Sequence, residues 1–87
     1  MQANNQQVSR LLKTARGQID AILSMVEDDR YCLDISQQVM AAQALLGRVN
    51  KEILTAHLSH CVRNAESAAE REEKVAELTV ILNKLLP

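Results

Sequence analysis

Three side chains with soft metal-ligating atoms stand out in this sequence of 87 residues: Cys32, His57 and Cys61. His57 and Cys61 are four residues apart, so on a helix they lie on one face, one turn above the other. An imidazole and a thiolate in that arrangement form a pair of soft metal ligands. The same spacing occurs by chance, and a cysteine on an apolar helix face is often a small buried hydrophobic residue. The pair alone leaves both interpretations open.

Cys32 favours the ligand interpretation. It precedes His57 by 25 residues, near the start of the same predicted helix. A rise of about 1.5 Å per residue would separate the two by roughly 37 Å, so one protomer cannot bring all three side chains to one ion. Two copies of the helix packed antiparallel can, because the start of one meets the end of the other. A two-fold dimer would then hold two identical sites, each with Cys32 from one chain and the partner's His57 and Cys61.

The number and softness of these ligands indicate the metal. Two thiolates and one imidazole suit Cu(I), a soft ion that accepts three ligands. Structural zinc usually takes four ligands, and nickel or cobalt would favour more nitrogen or oxygen donors. His60 could add a fourth ligand, although it is turned about 100° around the helix from Cys61 and a solvated side chain is the alternative. The sequence therefore predicts a three-ligand Cu(I) site.

Three helical segments must position these ligands, and we predict an all-α protein. Apolar residues recur at three- and four-residue steps in each segment, and the second segment has nearly heptad spacing, as expected of a helix with partners along its length. The first stripe is Val8, Leu11, Leu12, Ala15, Ile19, Ile22 and Val26. The second is Ile35, Val39, Ala42, Leu46, Val49, Ile53 and Ala56. The third is Val75, Leu78, Leu82 and Leu85, preceded by Ser67 and Glu70 at capping-box spacing.

The composition bounds the class of protein. Hydrophobic residues make up 47% of the chain and aromatic residues only 1%, so a single protomer has little interior and we expect an oligomer. We expect one domain over residues 1–87. No apolar run is long enough to span a membrane, and the polar N-terminus has no signal-peptide core, so we expect a cytoplasmic protein with free thiols. The sequence has no phosphate-binding loop and no nucleophile–base pair, and we predict that it is not an enzyme.

The charge distribution is uneven. The net charge of −1 is not typical of a nucleic-acid-binding protein, yet residues 1–19 contain three basic residues and no acid. This excess of positive charge near the N-terminus could belong to an anion-binding surface or to a solvated helix face, and the sequence leaves both interpretations open.

The sequence resembles the copper-sensitive operon repressor (CsoR) family of bacterial metal sensors over almost its whole length. The similar segments are Arg10-Leu11, Lys13, Gly17-Gln18, residues 29–35 (DRYCLDI) and residues 57–62 (HLSHCV). The resemblance implies a three-helix protomer, an antiparallel helical dimer and a dimer-of-dimers tetramer. It also implies that the apo protein binds double-stranded operator DNA and that Cu(I) releases it, derepressing copper-resistance genes.

The resemblance also implies roles for individual residues. Cys32, His57 and Cys61 fall on the family's Cu(I) positions, while Tyr31 and Glu77 fall on positions near the copper but not bonded to it. A carboxylate on the third helix could accept the second ring N–H of a coordinated imidazole. A solvated charge at Glu77 and a partly buried turn residue at Tyr31 are the alternatives.

The DNA contacts are less defined, because the sequence has no helix-turn-helix or other common DNA-binding motif. Basic residues of a helical tetramer would contact phosphates. Arg10 and Lys13 match basic positions of the family's first helix and Arg48 one of the second, and Arg16 and Lys51 could extend the patch. The sequence departs from the family at Asp20-Ala21, where Arg-Gly is usual.

Other functions within the family and outside it remain open. The persulfide-responsive branch lacks a histidine at the position of His57, and the formaldehyde-responsive branch lacks the cysteine at the position of Cys61. The nickel branch uses an N-terminal histidine, whereas residues 2–7 contain none. A metal-free helical oligomerisation module is the alternative outside the family.

Overall fold

The computed structural model describes residues 1–85 as three α-helices: α1 (Asn5–Glu27), α2 (Cys32–Asn64) and α3 (Ala68–Leu85). The described residues contain no β-strand, and the predicted all-α class is confirmed. Residues 86–87 of the predicted domain lie outside the described residues. The chain forms two compact units, which we call the hairpin unit (Asn4–Glu52) and the C-terminal unit (Met1–Ala3 with the chain from Ile53 onward).

Local hydrogen bonds explain where α1 begins and ends. The side chain of Asn4 accepts a hydrogen bond of 3.0 Å from the backbone N–H of Gln7, which caps the first turn. At the other end, the N–H groups of Asp28 and Arg30 donate back to carbonyls of the last turn. Asp29 has a φ of 53°, a left-handed conformation that aspartate tolerates better than most residues. Residues 28–30 thus form the short turn between α1 and α2.

In the hairpin unit, α1 and the first part of α2 share a small apolar core. Its buried members are Val8, Leu11, Ala15, Ala42 and Val49. The heptad stripe of α2 divides within this unit, because Ala42 and Val49 are buried whereas Val39 and Leu46 are 39% and 42% exposed. We call the exposed positions Val39 and Leu46 the outer stripe. One protomer therefore covers only part of the apolar surface that the sequence pattern predicts.

In the C-terminal unit, α3 begins with the capping arrangement that the sequence predicts. The Ser67 hydroxyl accepts the N–H of Glu70 at 3.1 Å, and the Glu70 carboxylate accepts the N–H of Glu66 at 3.0 Å. The carboxylate therefore reaches one residue further back than in the standard capping box. Leu78 is buried, while Val75 and Leu82 are 45% and 43% exposed. Among the helices of residues 1–85, none is long and apolar enough to cross a membrane.

Candidate metal centre

The structure brings His57 and Cys61 together on one face of α2. The Nε2 atom of His57 lies 3.4 Å from the Sγ atom of Cys61, a contact that the four-residue helical spacing allows. Metal–sulfur and metal–nitrogen bonds of about 2.3 and 2.0 Å, at trigonal or tetrahedral angles, would place the two ligand atoms about 3.5–3.7 Å apart. The pair is thus within a few tenths of an ångström of the separation that a shared ion needs.

Cys32 is the first residue of α2, and its free thiol is exposed. The His57 side chain is exposed and that of Cys61 is half-buried. Within residues 1–85, no cluster of three His, Cys, Asp or Glu side chains is suitably placed for a metal ion. The protomer therefore assembles two of the three predicted ligands and leaves the third thiol accessible to solvent.

His60 contacts Asn64 in this structure. The Asn64 amide donates to the His60 carbonyl oxygen at 2.7 Å, and its Nδ2 lies 3.3 Å from the ring Nδ1 of His60. The polar contact of this imidazole therefore lies toward the C-terminal end of α2. This arrangement agrees with a His60 side chain outside the ligand set.

Tyr31 and Glu77 make other contacts in the protomer. Tyr31 directly precedes Cys32 and is 65% exposed, and its carbonyl accepts the N–H groups of Asp34 and Ile35 in the first turn of α2. The Glu77 carboxylate lies 3.8 Å from the Lys74 ammonium, and its side chain is 54% exposed. Their predicted roles around the metal stay predictions.

Two of the predicted basic residues, Arg10 and Lys13, lie on one exposed face of α1 in the hairpin unit. We call this face, which consists of Asn5, Gln6, Ser9, Arg10, Lys13 and Thr14, the basic face of α1. It combines two cationic side chains with amide and hydroxyl donors and contains no carboxylate. Such a set of donors suits phosphate oxygens. Arg16, further along α1, is also exposed.

The second predicted basic region, on α2, shows a feature that sequence reasoning missed. The Nε atom of Arg48 lies 3.8 Å from Oε1 of Glu52, and that same oxygen accepts a 2.9 Å hydrogen bond from Nε2 of Gln7 on α1. Lys51, on the same helix, is exposed. The four-residue spacing of Arg48 and Glu52 is visible in the sequence, but nothing local indicates a partner 45 residues away.

Comparison with known proteins decides the family. A family model described as "Metal-sensitive transcriptional repressor" matches residues 4–84. The chain belongs to this metal-sensitive transcriptional repressor family. The resemblance on which the sequence interpretation relied is confirmed, and so is the prediction that the chain is not an enzyme, because the members of this family are repressors.

Named copper-sensing and nickel-responsive regulators are similar to this chain. The copper-sensing transcriptional repressor CsoR of Bacillus subtilis is 38% identical over 78 residues, which cover 90% of this chain and 77% of that protein. The structure of CsoR with Cu(I) from Geobacillus thermodenitrificans matches with a TM-score of 0.80 and 35% identity, covering 91% of this chain and 82% of the other. The nickel-responsive regulator InrS also matches with a TM-score of 0.80, at 30% identity, covering 99% of this chain and 97% of the other. The shared fold therefore does not by itself select the metal.

Proposed function

We propose that this chain is a Cu(I)-responsive transcriptional repressor of the bacterial cytoplasm. Its apo form binds double-stranded operator DNA, and Cu(I) binding releases the DNA and derepresses copper-resistance genes. Residues 1–87 act as a single metal-sensing and DNA-binding domain. The main observation in support is the preformed pair of His57 Nε2 and Cys61 Sγ, 3.4 Å apart, in a chain similar to copper-sensing repressors.

The donor chemistry of this chain fits Cu(I) better than nickel. The ligand set of Cys32, His57 and Cys61 consists of two sulfurs and one nitrogen, and sulfur donors with low coordination number favour a soft monovalent ion. Nickel would require additional nitrogen or oxygen donors. His60, on the same helix, could supply such a donor, but its ring contacts Asn64.

The complete site requires two protomers. Cys32 begins a continuous helix of 33 residues in which His57 and Cys61 belong to the last turns, and about 25 residues of α-helix span roughly 37 Å. The outer stripe of α2 supports a second copy at this helix, because these apolar side chains remain exposed in the protomer. We propose an antiparallel dimer with two shared sites, and a dimer-of-dimers tetramer as the DNA-binding form.

Copper and DNA are linked through this assembly. If the arrangement with all three ligands together binds DNA less well, then Cu(I) lowers DNA affinity and DNA lowers Cu(I) affinity by the same factor. A difference of about 3 kcal/mol between the two arrangements changes DNA affinity more than a hundredfold. Tyr31, beside Cys32, would support the arrangement in which all three ligands bind the ion. Glu77 would support it by accepting the imidazole N–H of His57, and would then exchange its contact with Lys74 for this one.

A complementation experiment tests the shared site. Neither Cys32→Ala nor Cys61→Ala protein can assemble the full ligand set, but a mixed dimer of the two variants contains one intact site and one that lacks both thiols. After unfolding and refolding of an equal mixture under anaerobic conditions, about a quarter of the sites should regain wild-type Cu(I) affinity. A site built within one chain would regain none, and that result would contradict the proposed dimer.

A second titration tests the ligand assignment. We expect His57→Ala to lose most of the Cu(I) affinity and the copper-induced release of DNA, whereas the matched variant His60→Ala retains both. X-ray absorption of the copper-loaded protein should show three ligands with two sulfurs. Full copper affinity and full DNA release in His57→Ala protein would refute the assignment of the histidine, and selective binding of Ni(II) over Cu(I) would refute the proposed metal.

A further inference from the structure

The Glu52 carboxylate joins the two helices of the hairpin unit through a single oxygen. Oε1 accepts the amide hydrogen bond of Gln7 at 2.9 Å and lies 3.8 Å from Nε of Arg48. The Glu52 side chain is only 30% exposed, whereas that of Arg48 is 59% exposed. A half-buried carboxylate thus contacts the first turns of α1 and a solvent-facing guanidinium at the same time.

These contacts lie between the two predicted basic regions. The short turn at residues 28–30 makes α1 and the first part of α2 antiparallel, and the hydrogen bond places Gln7 opposite Glu52. Arg10 is one helical turn beyond Gln7, and Arg48 is one turn before Glu52. The two arginines therefore occupy the same level of the hairpin, and Glu52 contacts both Arg48 and the first turns of α1 at that level.

The atom of Arg48 that faces Glu52 determines what remains for a ligand. Glu52 faces Nε, so this contact does not occupy the four N–H groups of the two terminal nitrogens. Those terminal groups include the donors of paired hydrogen bonds to phosphate oxygens. A carboxylate here has two opposing effects on DNA: its negative charge repels phosphates, and its contacts orient the guanidinium that attracts them.

We propose that Glu52 is a positioning residue of the DNA-binding surface. It holds Arg48 and the first turns of α1 in one arrangement, in which the terminal nitrogens of Arg48 and the basic face of α1 contact phosphates of the same duplex. This inference rests on the proposed function, since it assumes that the hairpin unit binds DNA. The DNA-binding surface, otherwise defined by basic residues, would then also include the acidic residue Glu52 and the neutral amide Gln7.

Two substitutions separate the orienting effect from the charge. Glu52→Gln and Glu52→Ala remove the same negative charge, but only glutamine keeps a side-chain oxygen that can accept the hydrogen bond from Gln7 and face Nε of Arg48. We expect the glutamine variant to bind DNA about two- to tenfold more tightly than the alanine variant, the equivalent of one net hydrogen bond. We also expect the plot of log K against log salt to be shallower by about 0.9 for the alanine variant, because one phosphate contact is lost.

The probe is a DNA duplex that the wild-type protein enriches from a random-sequence library, with affinities measured by fluorescence anisotropy over a range of salt concentrations. The matched control pair is Glu73→Gln and Glu73→Ala, at an exposed glutamate of α3. Those two variants should bind the duplex equally. Gln7→Ala changes no charge and should weaken binding in the wild-type background but not in the Glu52→Ala background, because both substitutions break the same contact.

Each outcome decides the inference. Equal affinities and equal salt slopes for Glu52→Gln and Glu52→Ala would mean that Glu52 acts only as a charge, and would overturn the inference while the proposed function stands. If Glu52→Ala fails to fold in a thermal unfolding assay, Gln7→Ala decides, and wild-type affinity and slope in that variant would overturn it. A wild-type protein that enriches no duplex would overturn the proposed function and the inference together.

Discussion

Leu46 offers a test of the dimer at a position remote from every proposed ligand. It belongs to the outer stripe of α2 and is 42% exposed in the protomer. Burying a whole leucine side chain contributes about 1.5–3 kcal/mol, so covering the exposed fraction would contribute about 0.6–1.3 kcal/mol. Each residue occurs twice in the interface of a two-fold dimer. The two copies of Leu46 would therefore contribute about 1.3–2.5 kcal/mol to association. Substitution by lysine forfeits this energy and adds repulsion between like charges.

We expect Leu46→Lys to weaken the dimer at least tenfold, the equivalent of about 1.4 kcal/mol. Because the proposed copper site is shared between protomers, Cu(I) affinity should fall at low protein concentration and recover at high concentration, although no ligand has been altered. Sedimentation velocity measures the dimer, and an anaerobic competition titration with a chromophoric chelator measures Cu(I) binding. The matched control is Ala44→Lys, which adds the same charge at an exposed position on the opposite side of α2.

Two results would refute this reasoning in different ways. A monomeric Leu46→Lys protein that binds Cu(I) with wild-type affinity at every concentration would show that the ligands come from one chain. A variant that remains as dimeric as the wild type would show that the outer stripe is not the contact between copies.

Three further expectations follow from individual contacts. Arg10→Ala should weaken binding to all DNA duplexes alike and reduce the salt slope by about 0.9, as measured by anisotropy, and an unchanged slope would remove Arg10 from the interface. Ser67→Ala should lower the free energy of unfolding by about 1 kcal/mol, measured by urea denaturation, because it removes the cap of α3; an unchanged midpoint would mean that the cap contributes nothing. Gln18→Met should raise the unfolding midpoint by the equivalent of about 1 kcal/mol, because Oε1 of Gln18 is buried with no hydrogen-bond partner in the described part of the chain. A lower midpoint would show that this oxygen has a partner in the assembled protein.

Much of the fold could be predicted from the sequence because helices are determined locally. Apolar residues at three- and four-residue steps predict the three helices, and the capping residue Ser67 marks the start of α3 to within one residue. The His57–Cys61 pair was predictable for the same reason, since residues four apart on a helix lie side by side on one face.

Tertiary structure decided the features that depend on contacts distant in sequence. The sequence pattern of α2 predicts one continuous apolar surface. Packing in the hairpin unit buries Ala42 and Val49 but leaves Val39 and Leu46 exposed, because α1 covers only one side of that surface. The contact between Gln7 and Glu52 likewise has no sequence signal, since neither residue type implies a partner 45 positions away. Short-range periodicity therefore determined the helices and the ligand pair, whereas the packing of one helix against another decided which apolar residues stay exposed and which charges are held in place.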